Sequence, residues 1–384
     1  MTDRTAHPVA VLPKGEEFLL LSPTDQPHAY RNVDRMFATR PIRRGATQFE
    51  IPRGSEIAPR YVTDGVERSV DDYIRRTNIA GLLVIQDGAI RLERYALGLT
   101  PQDRWSTMST VKSMTSTLIG AAIQDGAIGS VDDPVCRHLP ILRGSAYEGT
   151  TVRHLLTMSS GVRWSEDYTD RNSDVNRYSK SLGDKVPGGV LALMRGLPAE
   201  VPPGSRFLYN TGDTYLLGCL LSAATGTTIA AYMSEKIWSR FGMEADGFYT
   251  LESEDGQEIG GSRAGVTLRD FGRFGLFLLA DGVVDGVRVL PDGWVQQAAT
   301  PRFTLDPAAN SWGATGYGYS WWLDPDGAMV AVGFAGQSLY VNRRTRSVIV
   351  TLSCWPQPPY DAAYGVDRKA ERLAFCAAVN ATRG

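Results

Sequence analysis

The pattern of hydrophobic and polar residues changes along the chain and marks its elements. Residues 1–60 are rich in Pro, Arg and polar residues without clear periodicity, which predicts an irregular N-terminal arm. Two apolar, β-rich runs follow at 81–85 and 89–95, and the Asp87-Gly88 dipeptide between them is a strong hairpin signal. A run that is apolar almost all round then predicts a buried helix over 109–124.

Helical patterns continue through the middle of the chain and give way to strands towards its end. A short helix is predicted at 150–158 with Thr150 or Thr151 as its cap, and Thr267 and Asp270 resemble a capping box. Further helices are predicted at 213–240, 266–281 and 365–380. Strands rich in β-branched and aromatic residues are predicted at 315–324, 329–344 and 347–354.

Strands near both ends of the chain, with helices between them, indicate the architecture. They predict an α/β (α+β) domain that is built from both termini and carries a helical insertion. The predicted α/β domain comprises residues 61–130 and 255–384, and the predicted helical domain comprises residues 131–254.

The composition is that of a globular protein, and it disfavours several classes of function. Of the 384 residues, 43% are hydrophobic and 21% are charged. The net charge of −2 provides no basic field for nucleic acid or an anionic membrane. The chain has only 4 His, and its 40 basic residues are 6 Lys and 34 Arg. Mechanisms that need several histidines are therefore disfavoured.

Two further features bear on the cellular compartment. The N-terminus has no basic region followed by an apolar one, and no run of about 18 apolar residues occurs, so neither a secretory signal nor a transmembrane helix is predicted. The four cysteines form no CxxC pair, which argues against a structural zinc site and a disulfide scaffold. We expect four reduced thiols in a cytoplasmic protein.

The helix predicted at 109–124 begins with an S-x-x-K motif, Ser109-Thr110-Val111-Lys112. Residues i and i+3 lie on one face of a helix, so Lys112 can take the proton of the Ser109 hydroxyl if burial lowers its pKa. The alternative is a solvent-facing Lys on an ordinary helix. The apolar flanks of the motif, which include Met108 and Met114, favour a buried helix and a functional Lys.

Other catalytic patterns fit the sequence less well. An α/β-hydrolase needs Ser, acid and His in that order, but the last His is His154 and no G-x-S-x-G motif precedes it. A chymotrypsin-like order is not excluded by counting, although no motif supports it. HExxH and P-loop motifs are absent, as is a G-x-G-x-x-G motif that opens a helix. We expect His138 and His154 to be structural.

Three segments, in this order, resemble the serine β-lactamase and penicillin-binding-protein superfamily. They are the S-x-x-K motif at Ser109, TVRHLLTMSSGV at 151–162 and FLYNTGDTYLLG at 207–218. The resemblance is to the class C-like branch, which includes esterases and D-aminopeptidases, and it extends from about residue 80 to the C-terminus. It implies a β-lactamase-like fold, in which an antiparallel sheet is flanked by helices and a mostly helical domain is inserted.

Within that branch, the sequence is most similar to aminohexanoate-dimer (nylon-oligomer) hydrolases and related carboxylesterases. The segments that carry this similarity are SEDYTDRNSDV at 165–175, the Trp321-Trp322 pair, GFAGQSLYVN at 333–342 and SVIVTLSCWPQP at 347–358. Tyr168, Trp322 and Gly333 correspond to substrate-binding positions. For the two aromatic residues, plain packing is the alternative.

The resemblance also implies catalytic roles. Ser109 corresponds to the acylated nucleophile and Lys112 to its proton acceptor. Tyr209 corresponds to the tyrosine of the Y-x-N element, which passes a proton to the leaving group and activates water. The backbone N–H groups of Ser109 and Phe334 correspond to the oxyanion hole. The strand usually written K/H-T-G corresponds to Ala331-Val332-Gly333.

Two departures from the superfamily pattern bear on the substrate. Thr211 occupies the position of the Y-x-N asparagine, and Ala331 occupies the position of the K/H-T-G cation. In the superfamily that cation helps to hold the carboxylate of β-lactams and peptidoglycan stems. Its absence argues against an efficient β-lactamase or D,D-peptidase.

The sequence therefore predicts a serine hydrolase that forms an acyl-enzyme. Carboxylic esters are the expected substrates. Hydrolysis of small linear amides such as aminohexanoate oligomers is a more specific hypothesis. The alternatives are a β-lactamase or D-amino-acid peptidase and, from another class, an inactive penicillin-recognising binding protein. No metal or organic cofactor is implied. The expected partner is a small-molecule substrate, without nucleic acid or membrane, and a homodimer stays an open alternative.

Overall fold

The computed structural model describes residues 12–13, 15–357 and 365–382. The strands of this part of the chain are β1 Thr39–Ile42, β2 Tyr61–Thr63, β3 Val66–Arg68, β4 Ile79–Gln86, β5 Ala89–Tyr95, β6 Trp105–Ser106, β7 Gly247–Thr250, β8 Ala264–Val266, β9 Val283–Val284, β10 Val287–Arg288, β11 Phe303–Thr304, β12 Gly316–Tyr317, β13 Trp322–Leu323, β14 Met329–Gly333, β15 Gln337–Asn342 and β16 Ser347–Ser353. Its α-helices are α1 Gln26–Arg31, α2 Val33–Met36, α3 Val70–Arg76, α4 Val111–Gln124, α5 Val135–His138, α6 Val152–Leu156, α7 Asp174–Gly183, α8 Gly189–Arg195, α9 Thr211–Thr225, α10 Ile229–Met233, α11 Leu268–Leu279, α12 Trp294–Ala298 and α13 Arg368–Ala381.

The main sheet has eight antiparallel strands in the order β11-β12-β13-β14-β15-β16-β4-β5. The β4–β5 hairpin turns at Asp87 and Gly88, which both have positive φ, as a type I′ turn requires. β4 pairs with β16, so the sheet joins strands from both ends of the chain. The predicted antiparallel sheet flanked by helices is confirmed.

A second antiparallel sheet, in the order β1-β7-β8-β6, lies next to the start of α4. Its edge strand β6 has only two residues, Trp105 and Ser106, which pair with Val266 and Gly265 of β8. Because β6 lies just before the S-x-x-K motif in the chain, this sheet sets the position of Ser109 in the structure.

Helix α4 is the central element of the structure and is buried over most of its length. Its hydroxyl side chains are satisfied by carbonyl groups of surrounding loops: Ser113 donates to Ser320 O and Ser116 to Tyr319 O, each at 2.6 Å. At Gly120 the Trp294 ring packs so closely that a Cβ would lie 2.5 Å from a ring carbon. Glycine at this position therefore allows α12 to pack against α4.

Two helices cover the main sheet. α11 packs on β4, β15 and β16, and the Thr267 hydroxyl accepts a hydrogen bond from Asp270 N at 3.1 Å, as the capping pattern predicts. α13 carries Arg372, which is 2% exposed and forms an ion pair with Asp324 at 2.6 Å. This buried pair fixes α13 to the loop after β13.

Residues 1–60 and 131–254, which are predicted to form an irregular arm and a helical domain, contain both helices and strands. Within residues 1–60 the structure has a 3₁₀ helix at Gly15–Leu20, then α1, α2 and β1, whereas residues 1–11 and 14 lie outside the described part. Helices α5 to α10 fall within 131–254, and β7 at the end of that range pairs with β1 and β8. The domain limits stay a prediction. No single helix of the described residues is long and apolar enough to cross a membrane.

Candidate active site

Ser109 lies in a 3₁₀ turn, Met108–Thr110, that leads directly into α4. The turn is held by the second sheet, because Thr107 N donates to Ala264 O and Ala264 N donates to Thr107 Oγ1, each at 2.9 Å. Met108 has a φ of +48°, which is unfavourable for a residue with a side chain. The strained backbone thus directs Ser109 into the cavity at the start of the helix.

Lys112 lies one helical turn further on and is 1% exposed. Its Nζ donates to Ser109 Oγ at 2.9 Å, to Thr211 Oγ1 at 3.1 Å and to Gly261 O. Within the described chain no carboxylate lies within ion-pair distance of it. Burial lowers the pKa of Lys112 to about 8, and the negative charge of Glu166 opposes that shift. A substantial fraction of the lysine is therefore neutral near physiological pH.

The Gly260-Gly261 segment explains how a backbone carbonyl reaches the lysine. A Cβ on Gly261 would lie 2.6 Å from Thr211 O, and a Cβ on Gly260 would lie 3.0 Å from Thr115 Oγ1. Two residues without side chains therefore let this loop approach α4 and α9 together.

Tyr209 comes just before α9, whose first turn is capped by the Asn210 side chain. Its ring centroid lies 5.1 Å from Lys112 Nζ and 5.6 Å from the ring of Trp322. Burial and then the charge of Glu166 raise the pKa of Tyr209, and a hydrogen bond with Ser109 partly counters this rise. The structure thus brings Ser109, Lys112 and Tyr209 close together, and their catalytic roles stay a prediction.

Glu166 is a site residue that the sequence analysis missed. Its carboxylate accepts hydrogen bonds from the Tyr168 hydroxyl at 2.7 Å, from Thr211 Oγ1 at 2.5 Å and from Trp164 Nε1. Thr211, at the position of the Y-x-N asparagine, therefore links Lys112 to Glu166. The sequence does contain a signal, because Trp164, Glu166 and Tyr168 alternate and so share one side of an extended segment.

The end of β14 packs against the backbone that precedes Ser109. A Cβ on Gly333 would lie 2.7 Å from Thr107 O, so the strand packs directly against the backbone that precedes Ser109. Phe334 follows, and its ring lies 5.1 Å from that of Tyr168. Ala335 then takes a φ of +56°. Ser109 and Phe334 line the same cavity, and the oxyanion hole formed by their backbone N–H groups stays a prediction.

Two cavities meet at Ser109. The larger has a volume of about 590 Å³ and contains all the predicted pocket residues. Its lining includes Ser109, Glu166, Tyr168, Tyr209, Trp312, Trp322, Gly333, Phe334 and Trp355. The smaller, about 30 Å³, shares Ser109, Tyr168 and Phe334 with it but is otherwise lined by Arg263, Tyr178, Ser179, Ser262, Thr211, Val175, Leu19 and Met108.

His138, His154 and the four cysteines lie away from Ser109 among structural contacts. His154 completes the capping box of α6 with Thr151, and His138 lies 3.4 Å from Asp133. No described His lines either cavity. The four cysteines are buried and free of disulfides. Among the described residues there is no cluster of His, Cys, Asp and Glu that could hold a metal ion.

Comparison with known proteins shows the family of the chain. The Beta-lactamase family model matches residues 66–374. The 6-aminohexanoate-dimer hydrolase of Paenarthrobacter ureafaciens is 29% identical over 300 residues, which cover 75% of this chain and 76% of that protein. Esterase EstB of Burkholderia gladioli is 28% identical over 202 residues, 48% of this chain and 51% of the esterase.

The similarity extends to solved structures. A Bacillus anthracis protein provisionally assigned as a 6-aminohexanoate-dimer hydrolase superposes with a TM-score of 0.81 at 20% identity, covering 92% of this chain and 93% of that one. A penicillin-binding protein from Bacillus halodurans has a TM-score of 0.60 at 21% identity, covering 79% and 99%. These structures share the fold, and the family model spans most of the sequence. The chain therefore belongs to the β-lactamase family, within the superfamily of β-lactamases and penicillin-binding proteins.

Proposed function

We propose that this protein is a serine hydrolase that cleaves carboxylic esters through an acyl-enzyme on Ser109. The observation that carries the proposal is the 2.9 Å hydrogen bond between Lys112 Nζ and Ser109 Oγ. Burial lowers the pKa of this lysine to about 8, so that it can accept a proton near neutral pH.

In the proposed reaction, neutral Lys112 takes the proton of Ser109 as Oγ attacks the substrate carbonyl. The charge that develops on the carbonyl oxygen is stabilised by the backbone N–H groups of Ser109 and Phe334. Tyr209 donates its proton to the leaving group and is reprotonated through Lys112. A water molecule then attacks the acyl-enzyme by the reverse proton transfers and releases the acid.

The opposite pKa shifts support Lys112 as the initial base. Burial favours the neutral form of both side chains, which for Lys112 is the proton acceptor and for Tyr209 is the proton donor. Because Lys112, Tyr209 and Ser109 share hydrogen bonds, they titrate as a coupled group.

Cleavage of a linear amide is the second candidate reaction. The relative from Paenarthrobacter ureafaciens, which covers three quarters of this chain, favours it. An amine is a poorer leaving group than an alcohol, so this activity needs more transition-state stabilisation than ester cleavage. Incubation with the linear aminohexanoate dimer tests it, and no monomer at high enzyme concentration would reject it.

The test of the main proposal is Ser109→Ala, compared with Ser55→Ala, which removes the hydroxyl of an exposed serine that lines neither cavity. Turnover of p-nitrophenyl butyrate should be lost only in the first variant, and mass spectrometry should find the acyl adduct on Ser109. An adduct elsewhere, or retained turnover in Ser109→Ala, rejects the proposal. Absence of turnover and of an adduct in the wild type would leave a binding protein as the alternative. Nitrocefin turnover would instead support a β-lactamase. The cytoplasmic location stays a prediction.

A further inference from the structure

The small cavity beside Ser109 contains a buried cation for which the described part of the chain provides no anionic partner. Arg263 lines the cavity and is 3% exposed. No carboxylate of the described residues lies within 4.0 Å of its guanidinium, and its buried Nε has no hydrogen-bond partner. Its pKa is lowered by burial to about 10, so the group is still charged at neutral pH. A buried charge is normally paired, so this one is poised to receive an anion.

The neighbours of Arg263 hold it in place without neutralising it. The guanidinium lies 4.2 Å from the ring centroid of Phe37 and 5.1 Å from that of Phe18. These cation–π contacts orient the group but leave its charge available. On the cavity side, the Tyr178 hydroxyl accepts a hydrogen bond from Ser262 Oγ at 2.9 Å, and no described residue accepts the tyrosine's own proton.

A guanidinium and a phenol hydroxyl together form a donor set that suits a carboxylate. The cavity's volume of about 30 Å³ is above the roughly 10–15 Å³ that a cavity needs to hold one water molecule, so it admits a small polar group. A long chain does not fit.

The position of Tyr209 indicates which part of a substrate enters this cavity. The leaving group must face Tyr209, which lines only the large cavity together with Trp322. The acyl group, on the other side of the carbonyl carbon, is therefore directed towards Arg263.

We propose that Arg263 binds a carboxylate at the far end of the acyl group, so that the preferred substrates are half-esters of short dicarboxylic acids. This inference rests on the proposed function and names its substrate class. The covalent steps are unchanged. An acyl group that ends in an ammonium group would meet the like charge of Arg263 and should be disfavoured, which makes short aminoacyl chains poor substrates.

The test compares three ethyl esters with acyl chains of similar length: ethyl hydrogen succinate, ethyl 4-methylpentanoate and ethyl 3-aminopropanoate. The second replaces the carboxylate by a neutral isopropyl group, and the third ends in an ammonium group. Acid release is followed in a pH-stat near neutral pH. A hydrogen-bonded ion pair predicts a kcat/KM for the succinate half-ester roughly 10- to 100-fold above that of the neutral ester, with the amino ester lowest.

The substitution Arg263→Gln should reduce this preference at least about tenfold, because it removes the charge but keeps polar atoms at the position. Arg143→Gln, at an exposed arginine that lines neither cavity, is the matched control and should keep the preference. A purely structural role for Arg263 would lower turnover of all three esters equally and leave their ratio unchanged. If Arg263→Gln does not fold, the test uses the kcat/KM ratio of the succinate half-ester to the neutral ester in the wild type. It also uses Arg263→Lys, which keeps the charge and should therefore keep the preference.

Binding can be measured without turnover. In Ser109→Ala, ethyl hydrogen succinate should raise the Tm more than ethyl 4-methylpentanoate does, and Arg263→Gln in that background should abolish the difference. Equal kcat/KM values for the two esters in the wild type, or a ratio that Arg263→Gln leaves intact, would overturn the inference while the ester hydrolase stands. Absence of Ser109-dependent turnover would reject the proposed function, and the Tm comparison would still decide the role of Arg263.

Discussion

Replacing Glu166 by Gln should move the pH profile of ester hydrolysis to lower pH. Glu166 Oε1 accepts a hydrogen bond from Thr211 Oγ1 at 2.5 Å, and Thr211 Oγ1 accepts one from Lys112 Nζ at 3.1 Å. The carboxylate thus lies within about 6 Å of the lysine nitrogen and stabilises its ammonium form. Removing that charge should make the neutral form, which is the proposed acceptor of the Ser109 proton, available at lower pH.

The magnitude follows from the charges and their separation. With a pKa of about 8, roughly one tenth of Lys112 is neutral at pH 7, against about 1 in 3000 for an ordinary lysine. Two unit charges about 5–6 Å apart, at an effective dielectric constant near 20, interact by about 3 kcal/mol, or about two pKa units. Because Gln keeps one carbonyl oxygen near Thr211, we expect the acid limb of the profile to move down by about one to two units.

The assay is kcat/KM for p-nitrophenyl butyrate, a substrate that does not itself titrate, measured from about pH 5 to pH 10. Values are normalised to the plateau, so that a lower maximal rate does not obscure the midpoint. Asp367→Asn is the control, because this carboxylate also lines the large cavity but caps α13 and makes no contribution to the Lys112 pKa. An acid limb that stays in place or moves to higher pH in Glu166→Gln would refute the reasoning.

Three further substitutions test the site and its support. Tyr209→Phe keeps the ring but removes the proton donor, so kcat for p-nitrophenyl butyrate should fall about 10²- to 10⁴-fold with little change in KM. Gly333→Ala would bring a Cβ to 2.7 Å from Thr107 O and displace the backbone of the proposed oxyanion hole, so kcat should fall more than KM rises while the circular dichroism spectrum is retained. Arg372→Met leaves Asp324 unpaired in the core and should lower the free energy of unfolding in urea by roughly 3–5 kcal/mol, and adding Asp324→Leu should recover most of that loss.

Local sequence patterns predicted the elements whose signals lie within one segment. The Asp87-Gly88 turn, the Thr267 cap and the buried helix after Ser109 each depend on neighbours a few residues away. The same holds for the pairing of Ser109 with Lys112, since a spacing of three residues on a helix brings side chains together. The motif order and the family resemblance added Tyr209.

The second sheet could not be read from the sequence, because its strands are too short to show periodicity. β6 has two residues and β8 three, and both depend on pairing with distant segments. Yet this sheet holds the turn that presents Ser109. The Gly260-Gly261 approach to Lys112 is likewise a contact between segments far apart in the chain.

The sequence by itself determined which chemical groups the protein has available: one S-x-x-K, a tyrosine in the right order and few histidines. Only the tertiary structure decided their electrostatic state. Glu166 lies close enough to act on Lys112, whereas no acid of the described residues lies beside Arg263, and neither fact follows from spacing along the chain. The physical reason is that desolvation and charge–charge energies depend on burial and distance, which folding sets by bringing remote segments together.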